Sequence, residues 1–122
     1  MKSFNTNNDT FLAFANFRNG EHTFNVDSSI YKWDGSKFIL YQSIPTNGAF
    51  AWHPFVICGE TFLGVANWRG NSVVYQASGQ TFIKYREISI QAARDMESFE
   101  YKGHTYLVIA NVGNNSPLYK LV

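Results

Sequence analysis

The chain has 122 residues, of which 45% are hydrophobic and 17% aromatic, and a formal net charge of +1. That length supports one folded domain and not two independent cores, and the near-zero charge, with no Lys/Arg cluster, excludes the electrostatic footprint of a nucleic-acid-binding protein. No apolar run approaches the roughly 20 residues of a membrane span, and the lone Cys58 rules out an intrachain disulfide.

In chain order, the polar start Met1-Lys2-Ser3-Phe4-Asn5-Thr6-Asn7-Asn8 lacks the apolar core of a signal peptide. The block Thr10-Phe11-Leu12-Ala13-Phe14-Ala15-Asn16 then predicts a strand. A further strand ends at the Asp34-Gly35 turn, where glycine supplies the positive φ of a hairpin. Lys37 to Ile44 alternates as a half-buried strand should, and Ala49 to Cys58 follows it, with Cys58 expected as an inert core thiol. After a Gly59-Glu60 turn, Thr61 to Trp68 is a nearly continuous apolar run, the pattern of a strand covered on both faces. Arg69-Gly70-Asn71 forms a loop before the strand Ser72 to Ala77, and Ser78-Gly79 is the next turn signal. Gln91 to Glu97 contains helix-forming residues. It fills the slot of Asn47 to His53, however, so strand or loop is expected there too. Lys102-Gly103 marks the last hairpin, before Thr105-Tyr106-Leu107-Val108-Ile109-Ala110-Asn111.

The block ending in Asn16 thus recurs as Thr61-Phe62-Leu63-Gly64-Val65-Ala66-Asn67 and as Thr105 to Asn111, at spacings of 51 and then 44 residues. An aromatic precedes the second residue of each block by seven positions, as Phe4, Phe55 and Phe99. The longer first spacing comes from a seven-residue insertion around Gly20-Glu21-His22-Thr23-Phe24-Asn25. Insertions in repeat arrays map to loops on one face, often the binding face. Three units follow, approximately residues 1–36, 37–78 and 79–122 of a single repeat domain. The fold class is all-β, about eleven antiparallel strands in sheets of the four-stranded type, arranged as propeller-like blades. About eleven strands make fewer than three four-stranded blades, which cannot close a ring. The chain is therefore expected to be part of a larger propeller, to have its ring completed by a dimer or trimer of identical chains, or to fold as a compact sandwich or prism.

Ser29-Ile30-Tyr31-Lys32-Trp33-Asp34-Gly35, Gln42 to Ala49, Phe55 and Thr61 to Asn67 together resemble the epitempin-associated (EAR, or EPTP) repeat, whose pattern runs S-x-I-Y-K-W-x-G, Q-x-I-x-T-x-G-A-x-D-W-E-x-F, F-L-A-V-A-N. The resemblance covers nearly the whole chain. It implies propeller blades used for extracellular recognition, as in the leucine-rich glioma-inactivated proteins, where a full propeller binds a receptor ectodomain. The family's D-W-E stands here as Ala51-Trp52-His53 in the central unit, and the last unit keeps the acids as Asp95-Met96-Glu97.

His22, His53 and His104 share no spacing that suggests a metal site, and no nucleophile elbow, recurrent carboxylate pair or phosphate loop is present. An enzyme is not expected, nor any cofactor. Trp33, Trp52 and Trp68 are placed at equivalent strand ends or loops, beside Asp34, His53, Asn67 and Arg69. An aromatic face for stacking beside groups that bind hydroxyls is what a sugar site needs. The competing expectation is that Trp33 and Trp52, at structural consensus positions of the repeat, pack between blades, with the block asparagines capping turns. The candidate ligand-binding residues are Trp68, Arg69, Asn71, Trp33, Asp34, His53, Asp95 and Glu97. They suggest a secreted lectin for cell-surface glycans or a glycoprotein, gaining avidity by repetition and self-association. The alternative is a propeller module that binds a cell-surface protein receptor. Two glycosylation sequons, at Asn8 and Asn114, favour a secreted origin.

Overall fold

The computed structural model describes residues 1–6, 8–20, 23–90, 92–112 and 116–121. Glu21, His22, Gln91, the Asn114 sequon position and Asn115 lie outside them. Among the described residues, eleven strands form three antiparallel sheets. The first contains β1 (Lys2–Asn5), β2 (Thr10–Phe14), β3 (Asn25–Trp33) and β4 (Phe38–Asn47), in that order. The second contains β5 (Ala49–Ile57), β6 (Glu60–Asn67), β7 (Ser72–Ser78) and β8 (Thr81–Ile88). β9 (Ala93–Tyr101), β10 (His104–Asn111) and β11 (Leu118–Lys120) make the third. The all-β, blade-like architecture expected from the repeats is the one observed. The helix-forming stretch that ends at Glu97 runs into β9, as the repeat register required. Hydrogen bonding places β4 on the first sheet and β8 on the second, so the first two sheets end about one strand later than their sequence units do.

The second sheet lies between the other two. One apolar layer joins its Trp52, Leu63, Val65 and Phe82 to Phe4, Phe11 and Ala13 of the first sheet. The other joins its Phe55, Phe62 and Ala66 to Met96, Leu107 and Ile109 of the third. This sandwiching explains β6, in which every residue from Phe62 to Asn67 is buried. The sister blocks in β2 and β10 alternate instead, because each has a covered face and an open one. Polar ties hold the layers in register. Trp52 Nε1–H donates to the Phe14 carbonyl at 2.9 Å. The Gln42 amide grips the backbone of Phe82, donating from Nε2 to its carbonyl (2.9 Å) and accepting its N–H at Oε1 (2.8 Å).

Three expectations are corrected. The turn after β5 is Cys58-Gly59, not Gly59-Glu60, with φ of 49° and 80° at its two central residues. Positive φ at both positions is the geometry of a tight hairpin matched to strand twist. Cys58 is consequently exposed and is not a core thiol. Trp52 is not at a strand end either: it sits within β5 and is 1% exposed.

Candidate functional site

At the end of the sheets where the block asparagines stand, the loops of all three units meet. A chain of backbone hydrogen bonds stitches them together. Gly48 N–H donates to the Phe24 carbonyl (2.9 Å), Trp68 N–H to Gly48 (2.8 Å), Ala92 N–H to Trp68 (2.8 Å) and Val112 N–H to Ala92 (3.1 Å). The asparagines brace the same loops. Asn67 Nδ2 donates to the Asn71 carbonyl (2.9 Å) while its backbone N–H is taken by Ser72 Oγ (3.1 Å). Asn16 makes the matching contacts with the Asp27 carbonyl and Ser28 Oγ. Turn capping therefore accounts for Asn16 and Asn67.

On this braced platform four aromatic rings form a continuous ladder. Trp68 meets Phe50 edge-on at 5.6 Å, Phe50 lies 4.5 Å from Phe17, and Phe17 meets Phe24 edge-on at 5.3 Å. Three guanidinium groups lie over it. Arg69 is 4.3 Å from the Phe24 centroid and Arg18 is 5.7 Å from that of Phe17. Arg94 spans Phe50 at 5.1 Å and Trp68 at 6.0 Å. Each contact is of the cation–π kind, which orients the charge and stiffens a long side chain. Phe24 comes from the seven-residue insertion, whose neck is closed by Asn19 N–H donating to the Thr23 carbonyl (2.8 Å). Beside the ladder, Thr23, Phe24, Asn25, Asn47 and Arg69 line a shallow concavity of about 340 Å³.

The eight residues singled out from the sequence fall in three places. Trp68 and Arg69 are in the ladder, and Asn71 supports the loop beneath them, its backbone carbonyl accepting from Asn67 Nδ2. Trp33 and Asp34 lie at the opposite end of β3, so they share no surface with Trp68. Trp33 is 42% exposed and rests on Phe38, which makes it neither buried core nor a partner of Trp68. The Asp34 carboxylate accepts the Lys37 and Ser36 N–H groups (2.9 and 2.8 Å), which hold its pKa below the usual carboxylate range. That geometry is a turn being closed. His53, Asp95 and Glu97 meet where β5 faces β9. His53 Nε2 bonds Ser98 Oγ at 2.8 Å, and its Nδ1 is 3.7 Å from Glu97 Oε1. Burial pulls the His53 pKa down and favours the neutral ring, Glu97 opposes that shift, and the bond to Ser98 makes the ring a strut between sheets.

Phe17, Arg18, Phe24, Phe50 and Arg94 were not singled out. The signal for two of them was present: Phe17-Arg18 follows Asn16 as Trp68-Arg69 follows Asn67. Phe50 and Arg94 likewise occupy one repeat position in successive units. Among the described residues no group of three or more His, Cys, Asp or Glu could hold a metal ion, and no helix is long and apolar enough to cross a membrane.

The family model of the EPTP domain matches residues 1–34, 37–76 and 81–121. The chain is similar to the thrombospondin-type laminin G domain and EAR repeat-containing protein of Mus musculus, 42% identical over 68 residues, which is 54% of the chain and 10% of that protein. The protein of the same description from Homo sapiens is 44% identical over 57 residues, covering 47% of the chain and 8% of the relative. Leucine-rich repeat LGI family member 3 of Macaca fascicularis is 27% identical over 67 residues, covering 55% and 11%. The chain thus spans about a tenth of the length of these relatives.

Proposed function

The chain belongs to the EPTP domain family, and from that premise we propose that it is a non-enzymatic, extracellular recognition module whose arginine–aromatic ladder docks an acidic surface of a cell-surface protein. The observation that carries this reading is the continuity of the ladder. Rings and guanidinium groups from all three units form one face, with aromatic anchors at its centre and arginines over them, the composition of a protein-binding hot spot. A set of independent sugar sites would recur once per unit. Phe24 belongs to an insertion found only in the first unit, and Val112 stands where Phe17 and Trp68 stand in the others.

The lectin remains the second reading, on the strength of one feature. The concavity beside Arg69 offers the Phe24 ring with the amides of Asn25 and Asn47, a combination suited to a single saccharide.

The test is to screen the purified chain on an array of cell-surface ectodomains and on a glycan array. It is run beside the charge-reversed variant Arg18→Glu/Arg69→Glu/Arg94→Glu. The expected result is salt-sensitive binding to an ectodomain, weakened at least tenfold in the variant, which is about 1.4 kcal/mol. Binding confined to glycans and abolished by a free sugar and by Arg69→Ala would move the assignment to the lectin. Equal binding by variant and parent would remove the ladder from either role.

A further inference from the structure

In each unit a pair of rings stacks across the first hairpin: Phe4 on Phe11 (5.3 Å, 17°), Phe55 on Phe62 (5.7 Å, 19°) and Phe99 on Tyr106 (5.3 Å, 16°). All three pairs lie on the same face of their sheets, the face that looks toward the following sheet. The first pair is buried beneath the second sheet and the second beneath the third. The third has the same geometry and nothing over it among the described residues, leaving Phe99 45% exposed.

What covers such a pair is visible inside the chain. Phe82 of the second sheet closes edge-on over both Phe4 (6.0 Å) and Phe11 (5.6 Å), with Leu63 and Tyr75 in the same layer. By repeat register, Leu12, Tyr31 and Phe38 of the first sheet are the counterparts of Leu63, Tyr75 and Phe82. They lie on that sheet's open face, where Leu12, Phe14, Tyr31 and Phe38 line a surface hollow. Hence the chain carries a bare receptor face at one end and a bare insert face at the other, position by position the same surfaces that it already pairs internally. Terminal units that end an array in water carry polar outer faces; these two are aromatic.

We propose that the open face of the third sheet docks the open face of the first sheet of a second copy of this chain, with Phe38 of that copy seated over Phe99 and Tyr106. The contact is head-to-tail, so it propagates until the rotation closes a ring.

The heterologous character gives the test. Phe99→Glu disables the receptor face and Phe38→Glu (37% exposed in the parent) disables the insert face; both positions are open, so both folds should survive, as checked by circular dichroism. Phe99→Ser and Phe38→Ser serve as a milder pair if either charge is not tolerated. Analytical ultracentrifugation at micromolar concentration should give the parent a whole-number multiple of 13.9 kDa. Each variant alone should fall to the single-chain mass. Mixed together, the two retain one working receptor face and one working insert face, and should form a dimer that grows no further. A parent at single-chain mass, a variant that stays assembled by itself, or a mixture that fails to pair would overturn the proposal. Because no partner molecule enters the measurement, its outcome is independent of what the arginine–aromatic ladder binds.

Discussion

Gly48 shows how one residue positions the recognition face. Its φ is +66°, and a Cβ there would lie 2.9 Å from the Cβ of Trp68. Both the backbone and the packing exclude a side chain. Gly48→Ala should cost about 1–2 kcal/mol from the left-handed backbone alone, and more from displacing Trp68. The expected readout is a lower urea midpoint with a changed Trp68 environment in fluorescence. His53 sets a pH dependence. Burial lowers its pKa below the ordinary 6.5, so the unfolded chain takes up the proton before the folded one does. Its contribution is intact above that ordinary value. As the pH falls from there toward the lower folded pKa, stability is lost. His53→Gln keeps a polar contact available to Ser98 but cannot titrate, so the difference between parent and variant stability should change through that window and be flat above it. A difference that does not vary with pH would remove His53 as the titrating strut.

Among the elements, β2, β6 and β10 carry one motif with three burial outcomes, set by how many neighbours each sheet has. The motif made the strands legible, and the unbroken apolar run of β6 correctly signalled two covered faces. The ties between elements were not legible. Gln42 is one polar residue in an alternating strand, yet its amide accepts from Thr81 Oγ1 (3.0 Å) as well as gripping both backbone groups of Phe82. Gln42→Ala leaves those groups without their partner and should destabilise the chain by about 1–3 kcal/mol. Gln76→Ala, which removes only an exposed 3.2 Å bond to Glu60, should stay within about 0.5 kcal/mol. Thermal denaturation of the pair separates a clamp between sheets from generic loss of a glutamine. If the two variants melt alike, Gln42 is no clamp.

On the scale of the whole molecule, three stacked sheets leave two aromatic faces and one arginine–aromatic end. The ladder depends on the stack, since Phe17, Phe50 and Arg94 come from different sheets and their loops. Loosening the sheets should therefore weaken partner binding even when no ladder residue is changed. Gln42→Ala offers the check, as binding measured well below its melting temperature should fall with the loss of stability and recover under a stabilising osmolyte. Binding unaffected by that substitution would mean that the loops hold the ladder without help from the stack.

The amino-acid sequence by itself determined the strands, the turns and the threefold repeat, because these follow from local periodicity and from where glycine can take positive φ. It also determined family membership, through motif offsets that run along the chain. Only the tertiary structure decided which aromatics are core and which are surface. Trp52 and Trp33 both sit at strand positions of the repeat, but one enters the layer between two sheets and the other lies beside an open face. It likewise decided that Trp68 and Arg69 belong with Phe17, Phe24, Phe50 and Arg94 while Asp34 closes its own turn. A site assembled from two loops and the first residues of two strands depends on how sheets stack, and stacking is a property of surfaces that are distant along the chain.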